Sequence, residues 1–207
     1  INITPEIITL AQKIVGDETD PYKKARLIYD YIIETLPYSN VPHSYITAMS
    51  IPESDFVHNT GFGDCGTQSA YFAALCRASG IPARAPGGYQ ITPGHEGPHF
   101  WAEFYLPENG WIPVDVTIAE AGDWAYNATP GQVKEFKDFY FGNMDPYRFT
   151  IQTNMDEPFS GGPDPDIIFT VAYQNPAVVC HSSDADVELI GMGSWSYTFE
   201  DEIPNKL

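Results

Sequence analysis

The sequence predicts an α+β fold in which helices pack on an antiparallel sheet. Three observations carry this: apolar residues at helical spacing through the opening segments, a helix-forming run that starts at Cys65, and period-two alternation on either side of a turn at Pro107-Glu-Asn-Gly110.

Two helices open the chain. Thr4-Pro5 and Asp20-Pro21 each set a capping side chain before a first-turn proline. Ile7, Ile8, Ala11, Ile14 and Val15, then Ala25, Ile28, Ile32 and Leu36, follow at helical spacing, and Gly16 suits the first stop. Pro37 to Gly63 reads as a polar, turn-rich connection. DCGTQSAYFAALCRASGIP then reads as a third helix, closed by Gly80 and barred from continuing by Pro82. FWAEFYL (100–106) and WIPVDV (111–116) read as strand, turn and strand. From about Asp145 no helical run remains, and RFTIQT, IIFTVAYQ and GSWSYTFE read as strands. Eleven acids against Arg148 and Lys206 make that last part a solvated acidic surface. The expected division is a core over 1–150 and a β-rich acidic extension over 151–207 packed on it.

Composition narrows the function. At 207 residues with 43% hydrophobic content the chain holds enough apolar material for a substantial core, which excludes a disordered acidic tail. A formal charge of −18 repels phosphate backbones and anionic lipid heads, so neither nucleic acid nor a membrane surface is expected as a partner. No stretch approaches the ~20 apolar residues of a bilayer span. Starting at Ile1, the sequence reads as a mature or excised fragment, with an extracellular or cell-envelope setting expected and the cytoplasm as the alternative. Three cysteines are too few for a disulfide scaffold and leave at least one free thiol.

Cys65 carries the chemistry. Gly61, Gly63 and Gly66 surround it with little bulk, so a substrate backbone can approach, and a helix start favours the nucleophilic thiolate form. Cys76, inside AALC, reads as a small buried hydrophobe. On the FWAEFYL strand, Phe100, Ala102, Phe104 and Leu106 share one face, which leaves His99 on the other with Trp101, Glu103 and Tyr105. An imidazole on a strand facing a helix start is how a thiolate–imidazolium pair is assembled, and Asp115 on the next strand is the natural orienter. Regular pairing sets Asp115 opposite Ala102, about 10 Å along the strand from His99, so a bulge at Pro113 or strong twist is expected to close the gap.

GDCGTQSAYFAALCRASGIPAR, HFWAEFYL and GWIPVDVT, in that order, resemble the core of the transglutaminase-like superfamily of cysteine enzymes, with the His99-to-Asp115 spacing of its bacterial and archaeal members. The resemblance covers roughly residues 20 to 150, including GGYQ (87–90). It implies a papain-like α+β fold with Cys65 as nucleophile, His99 as general acid and base, and Asp115 as orienter. Residues 150–207 lie outside it.

The expected reaction is acyl transfer from a peptide or related amide through a thioester, with no cofactor. The Cys65 N–H contributes to the oxyanion hole, and Asn59, Tyr38 or Gln68 supplies a second donor. Trp101, Tyr105 and Tyr89 lie close enough in the pattern to line a substrate groove. With no evident water-excluding device, hydrolysis by a cysteine protease or amidase is favoured over transamidation by a protein-glutamine gamma-glutamyltransferase. A non-catalytic binding module on the same fold is the third reading. His95 and His99 in HEGPH mimic half a zinc site, but Gly97-Pro98 interrupt the segment and no fourth ligand is evident, so no metal is expected. His43, His58 and His181 read as surface or loop histidines.

Overall fold

The computed structural model describes residues 1–155 apart from Pro93, and it is a mixed structure of helices and antiparallel sheet. Helices α1 (Pro5–Val15) and α2 (Pro21–Thr35) begin behind the expected caps. The Thr4 hydroxyl accepts from the Ile7 N–H at 3.3 Å, and the Asp20 carboxylate accepts from the Tyr22 N–H at 2.9 Å. Each buries one stripe, Ile7, Ala11 and Val15 on α1 and Ala25, Ile28, Tyr29 and Ile32 on α2.

The stretch read as turn-rich contains two short helices, α3 (His43–Ala48) and α4 (Glu53–Thr60). Both follow a proline, Pro42 or Pro52, and neither has a side-chain cap, so the usual start signal is missing from the sequence. α4 ends at Gly61, whose φ of 75° places it in the left-handed region.

α5 (Cys65–Ala78) is capped by Asp64, which accepts from the Thr67 N–H at 3.0 Å while the Thr67 hydroxyl accepts from the Asp64 N–H at 2.9 Å. Every residue from Gly66 to Cys76 is buried. The helix is therefore the centre of the core and has no single sheet-facing side: α1, α2 and α4 pack around it together with sheet strands.

The strands are β1 (Ala83–Arg84), β2 (Gly87–Gln90), β3 (Gly97–Phe100), β4 (Ala102–Leu106), β5 (Gly110–Val114) and β6 (Arg148–Gln152). Among the described residues they form two antiparallel sheets, in the orders β1-β4-β5 and β3-β2-β6. The run expected as one strand changes sheets at Trp101. Residues before it pair with β2, Gly88 facing His99, while residues after it pair with β1 and β5. The β4–β5 register is one residue away from expectation, with Ala102 opposite Val114 and Leu106 opposite Gly110. β5 stops at Val114, and Asp115 caps α6 (Val116–Glu120), which α7 (Val133–Phe139) follows.

Gly87 and Gly88 allow β2 to run between two neighbours. A Cβ on Gly87 would lie 2.3 Å from the Phe100 ring, and one on Gly88 would lie 1.9 Å from the Phe149 carbonyl oxygen. β6 realises the RFTIQT strand and straddles the expected boundary at 150. The segments IIFTVAYQ and GSWSYTFE lie outside the described residues.

Candidate active site

Cys65 is the first residue of α5 and is half-buried, its thiol sharing a side-chain hydrogen bond with His99. His99, buried on β3, places Nε2 2.7 Å from Asp115 Oδ2, so Nδ1 is the ring nitrogen left for the sulfur. Asp115 has no exposed surface. Its Oδ1 accepts from the Ile118 N–H at 2.9 Å, which fixes the carboxylate at the start of α6. No bulge at Pro113 closes the His99–Asp115 gap. The sheet change at Trp101 closes it: β3 leaves the β4–β5 hairpin there and brings His99 back over the hairpin's end.

Burial alone would pull the imidazole of His99 down. The charge of Asp115 and its hydrogen bond outweigh that, Cys65 adds to them, and the group is pushed up to about 9. Burial works against the Asp115 carboxylate too, yet the charges of His99 and then Arg148 hold it below its ordinary value. The two directions agree. Together they favour an ion pair inside the protein at neutral pH.

Arg148, on β6, is the residue that the sequence reading misplaced. Its side chain is buried: Nη2 lies 3.1 Å from Asp115 Oδ2 and 2.7 Å from Asp145 Oδ2, and Nη1 donates to Gln90 Oε1 at 3.3 Å. Asp145 also accepts from the Tyr140 hydroxyl at 3.2 Å and the Tyr147 N–H at 3.0 Å. A strand arginine in an acidic segment reads as solvated because two of its partners, Asp115 and Gln90, lie far off in the sequence, where no local pattern marks them.

Cys65 and His99 open on a cavity of about 400 Å³ that Tyr38, Trp124, His95 and Tyr126 also line. The Tyr38 and Trp124 rings lie 5.9 Å apart and those of His95 and Tyr126 4.5 Å apart, so two aromatic pairs belong to the lining. Only part of the expected set gathers here. Tyr38 lines the cavity, its backbone N–H donating to Glu120 Oε1 at 2.6 Å, and burial with the neighbouring Cys65 pushes its phenol up to about 12. Gln68 is fully buried, its amide engaged with the Leu36 carbonyl and Glu120 at 3.2 Å each, so it does not reach an oxyanion. Asn59 is exposed on α4 and donates to the Asp55 carbonyl at 2.8 Å, outside the described lining.

Trp101 is buried, its ring 6.5 Å from that of His99 and inclined 29° to it, and it is outside the described lining of the cavity. Tyr89 on β2 and Tyr105 on β4 are also outside the described lining. His43 and His58 are not idle surface histidines. His43 Nε2 lies 2.5 Å from Asp64 Oδ2, on the cap beside Cys65, and His58 Nδ1 lies 2.9 Å from the Tyr71 hydroxyl. His181 lies outside the described residues.

The Transglutaminase-like superfamily profile matches residues 8–116. The chain belongs to the transglutaminase-like superfamily. Among its relatives, a Haemophilus influenzae protein of uncharacterized function is 30% identical over 145 residues, covering 56% of this chain and 38% of that protein. A Pseudomonas aeruginosa protein-glutamine gamma-glutamyltransferase is 38% identical over 77 residues, 32% of this chain and 12% of that enzyme. A crystal structure of a candidate cysteine protease from Cytophaga hutchinsonii superimposes with a TM-score of 0.45 at 30% identity, over 54% of this chain and 37% of that one. The chain spans well under half the length of the curated relatives it matches. The superfamily match takes in Cys65, His99 and Asp115 and ends before Asp145 and Arg148.

Proposed function

We propose that this transglutaminase-like chain catalyses cysteine-dependent acyl transfer on a peptide or protein substrate, with Cys65 as nucleophile, His99 as acid and base and Asp115 as orienter. The observation that supports this most is the buried His99–Asp115 pair at 2.7 Å, hydrogen-bonded onward to a thiol at a helix start that opens on a cavity.

Cys65 Sγ attacks an amide carbonyl and forms the C–S bond. The oxyanion is met by the Cys65 N–H, at the position where a helix offers N–H groups without intrahelical acceptors, and by the Tyr38 hydroxyl as second donor. His99 gives its proton to the amide nitrogen as the C–N bond breaks, leaving a thioester. It then takes a proton from the acceptor. Water yields a carboxylic acid and an amine yields a new amide, with the thiol restored in either case.

Hydrolysis is the favoured outcome. The cavity is lined but open, Trp124 being 60% exposed, and an amine must outcompete ~55 M water, which requires a dry site. The test is mass spectrometry of products from a peptide panel with millimolar primary amine present. Free acid is expected, a predominant amine adduct would establish transamidation, and no acyl-enzyme on Cys65 with any peptide would overturn the enzymatic reading.

A further inference from the structure

We infer that Arg148 is a positioning residue of this site: from β6 it holds the Asp115 carboxylate in the orientation that serves His99, with Asp145 as its counter-charge. The inference rests on the proposed roles of Cys65, His99 and Asp115, and extends them to two residues beyond the superfamily match.

The geometry is that of a clamp. Asp115 Oδ2 meets two donors, His99 Nε2 at 2.7 Å and Arg148 Nη2 at 3.1 Å, while Oδ1 is held by the Ile118 N–H. Both oxygens are pinned, so the carboxylate cannot rotate away from the imidazole without breaking an ion pair in a buried setting. Arg148 is itself pinned by Asp145 and Gln90, and its Nε is buried with no partner among the described residues. A guanidinium held at that cost is held for its two Nη contacts.

Charge supplies the second line of argument. Asp115, Arg148 and Asp145 together carry one negative charge, which an imidazolium at His99 cancels. Arg148 without Asp145 would oppose that imidazolium, and Asp145 without Arg148 would over-stabilise it. Among the described residues, the other titratable groups facing the cluster are Cys65 from α5 and the phenols of Tyr29, Tyr126 and Tyr140, all three pushed up chiefly by burial and so un-ionised at neutral pH.

The experiment is an NMR titration of the His99 imidazole, assigned by its loss in His99→Gln, in the wild-type chain, Arg148→Gln and Asp145→Asn, with iodoacetamide labelling of Cys65 in parallel. Removing a cation within about 6 Å of the imidazole should move its titration upward by roughly one pH unit or more in Arg148→Gln. Removing the counter-anion in Asp145→Asn should move it downward. Opposite signs are the signature, because mere loss of packing around β6 has no reason to depend on the sign of the charge removed. A folded Arg148→Gln or Asp145→Asn whose titration is unmoved, or two shifts in the same direction, would overturn the inference. If one variant fails to fold, the other still carries the test through its own sign. Sluggish wild-type labelling of Cys65 would instead count against the proposed nucleophile, whatever the titrations show.

Discussion

Replacing Asp115 by asparagine keeps the shape of the side chain and removes its charge. The new oxygen can still cap the Ile118 N–H, so its amide nitrogen faces His99 Nε2 as a second donor. The imidazole then keeps its proton on Nδ1, toward the sulfur it must deprotonate, and turnover should fall by about 10⁴-fold, the cost seen where a triad aspartate becomes asparagine in a serine protease. The stability effect follows from the titration. His99 stands at about 9 against an ordinary 6.5, worth roughly 3 kcal/mol at about 1.4 kcal/mol per unit. Because the folded-state value is raised, this stabilisation is fully present below about 6.5 and is lost as pH rises through about 9. Urea denaturation of wild type and Asp115→Asn at intervals from pH 6 to 9.5 should show a gap of about 3 kcal/mol at the acid end that narrows across this window. A gap that stays constant from pH 6 to 9.5 would refute the reasoning, since the pair would then not be ionic.

Two further outcomes are expected. Brief iodoacetamide treatment near neutral pH followed by peptide mapping should find Cys65 labelled well before Cys76, which is fully buried with its thiol pushed up by burial; preferential labelling of Cys76 or Cys180 would remove the basis for the site. Gly88→Ala puts a methyl 1.9 Å from the Phe149 carbonyl oxygen, so β2 and β6 must part; a loss of roughly 3 kcal/mol in denaturation is expected, and an unchanged midpoint would show that the ladder yields freely.

What the sequence disclosed and what it hid divide along a physical line. α1 and α2 were legible because Thr4 and Asp20 bond to N–H groups within three residues, and α5 because its run stops at Gly80 and Pro82, signals carried wholly by local chain. α3 and α4 were not, since prolines stand where caps would and each is too short to show a stripe. Cys65, His99 and Asp115 were legible from residue types and order, but not the route by which they meet. Strand periodicity is blind to which sheet a residue pairs with, so the change at Trp101 left no trace. Gln68 looked available because a glutamine beside a catalytic helix start is polar; the all-round burial of α5 turns it inward to Leu36 and Glu120. Arg148 lies 33 residues from Asp115, and only three-dimensional contact reveals that they pair.

The change of sheets at Trp101 bears on the order in which the site is completed. Asp115 follows the β4–β5 hairpin and His99 lies on the β2–β3 hairpin, both structures of short reach that close quickly, whereas Arg148 arrives on β6, some fifty residues further along the chain. A nascent or partly unfolded chain can thus hold the imidazole and the carboxylate and still lack the Arg148 contact that pins them. On the proposed roles, full reactivity at Cys65 should arrive last, as a sign that the distant strand has docked and fixed the carboxylate.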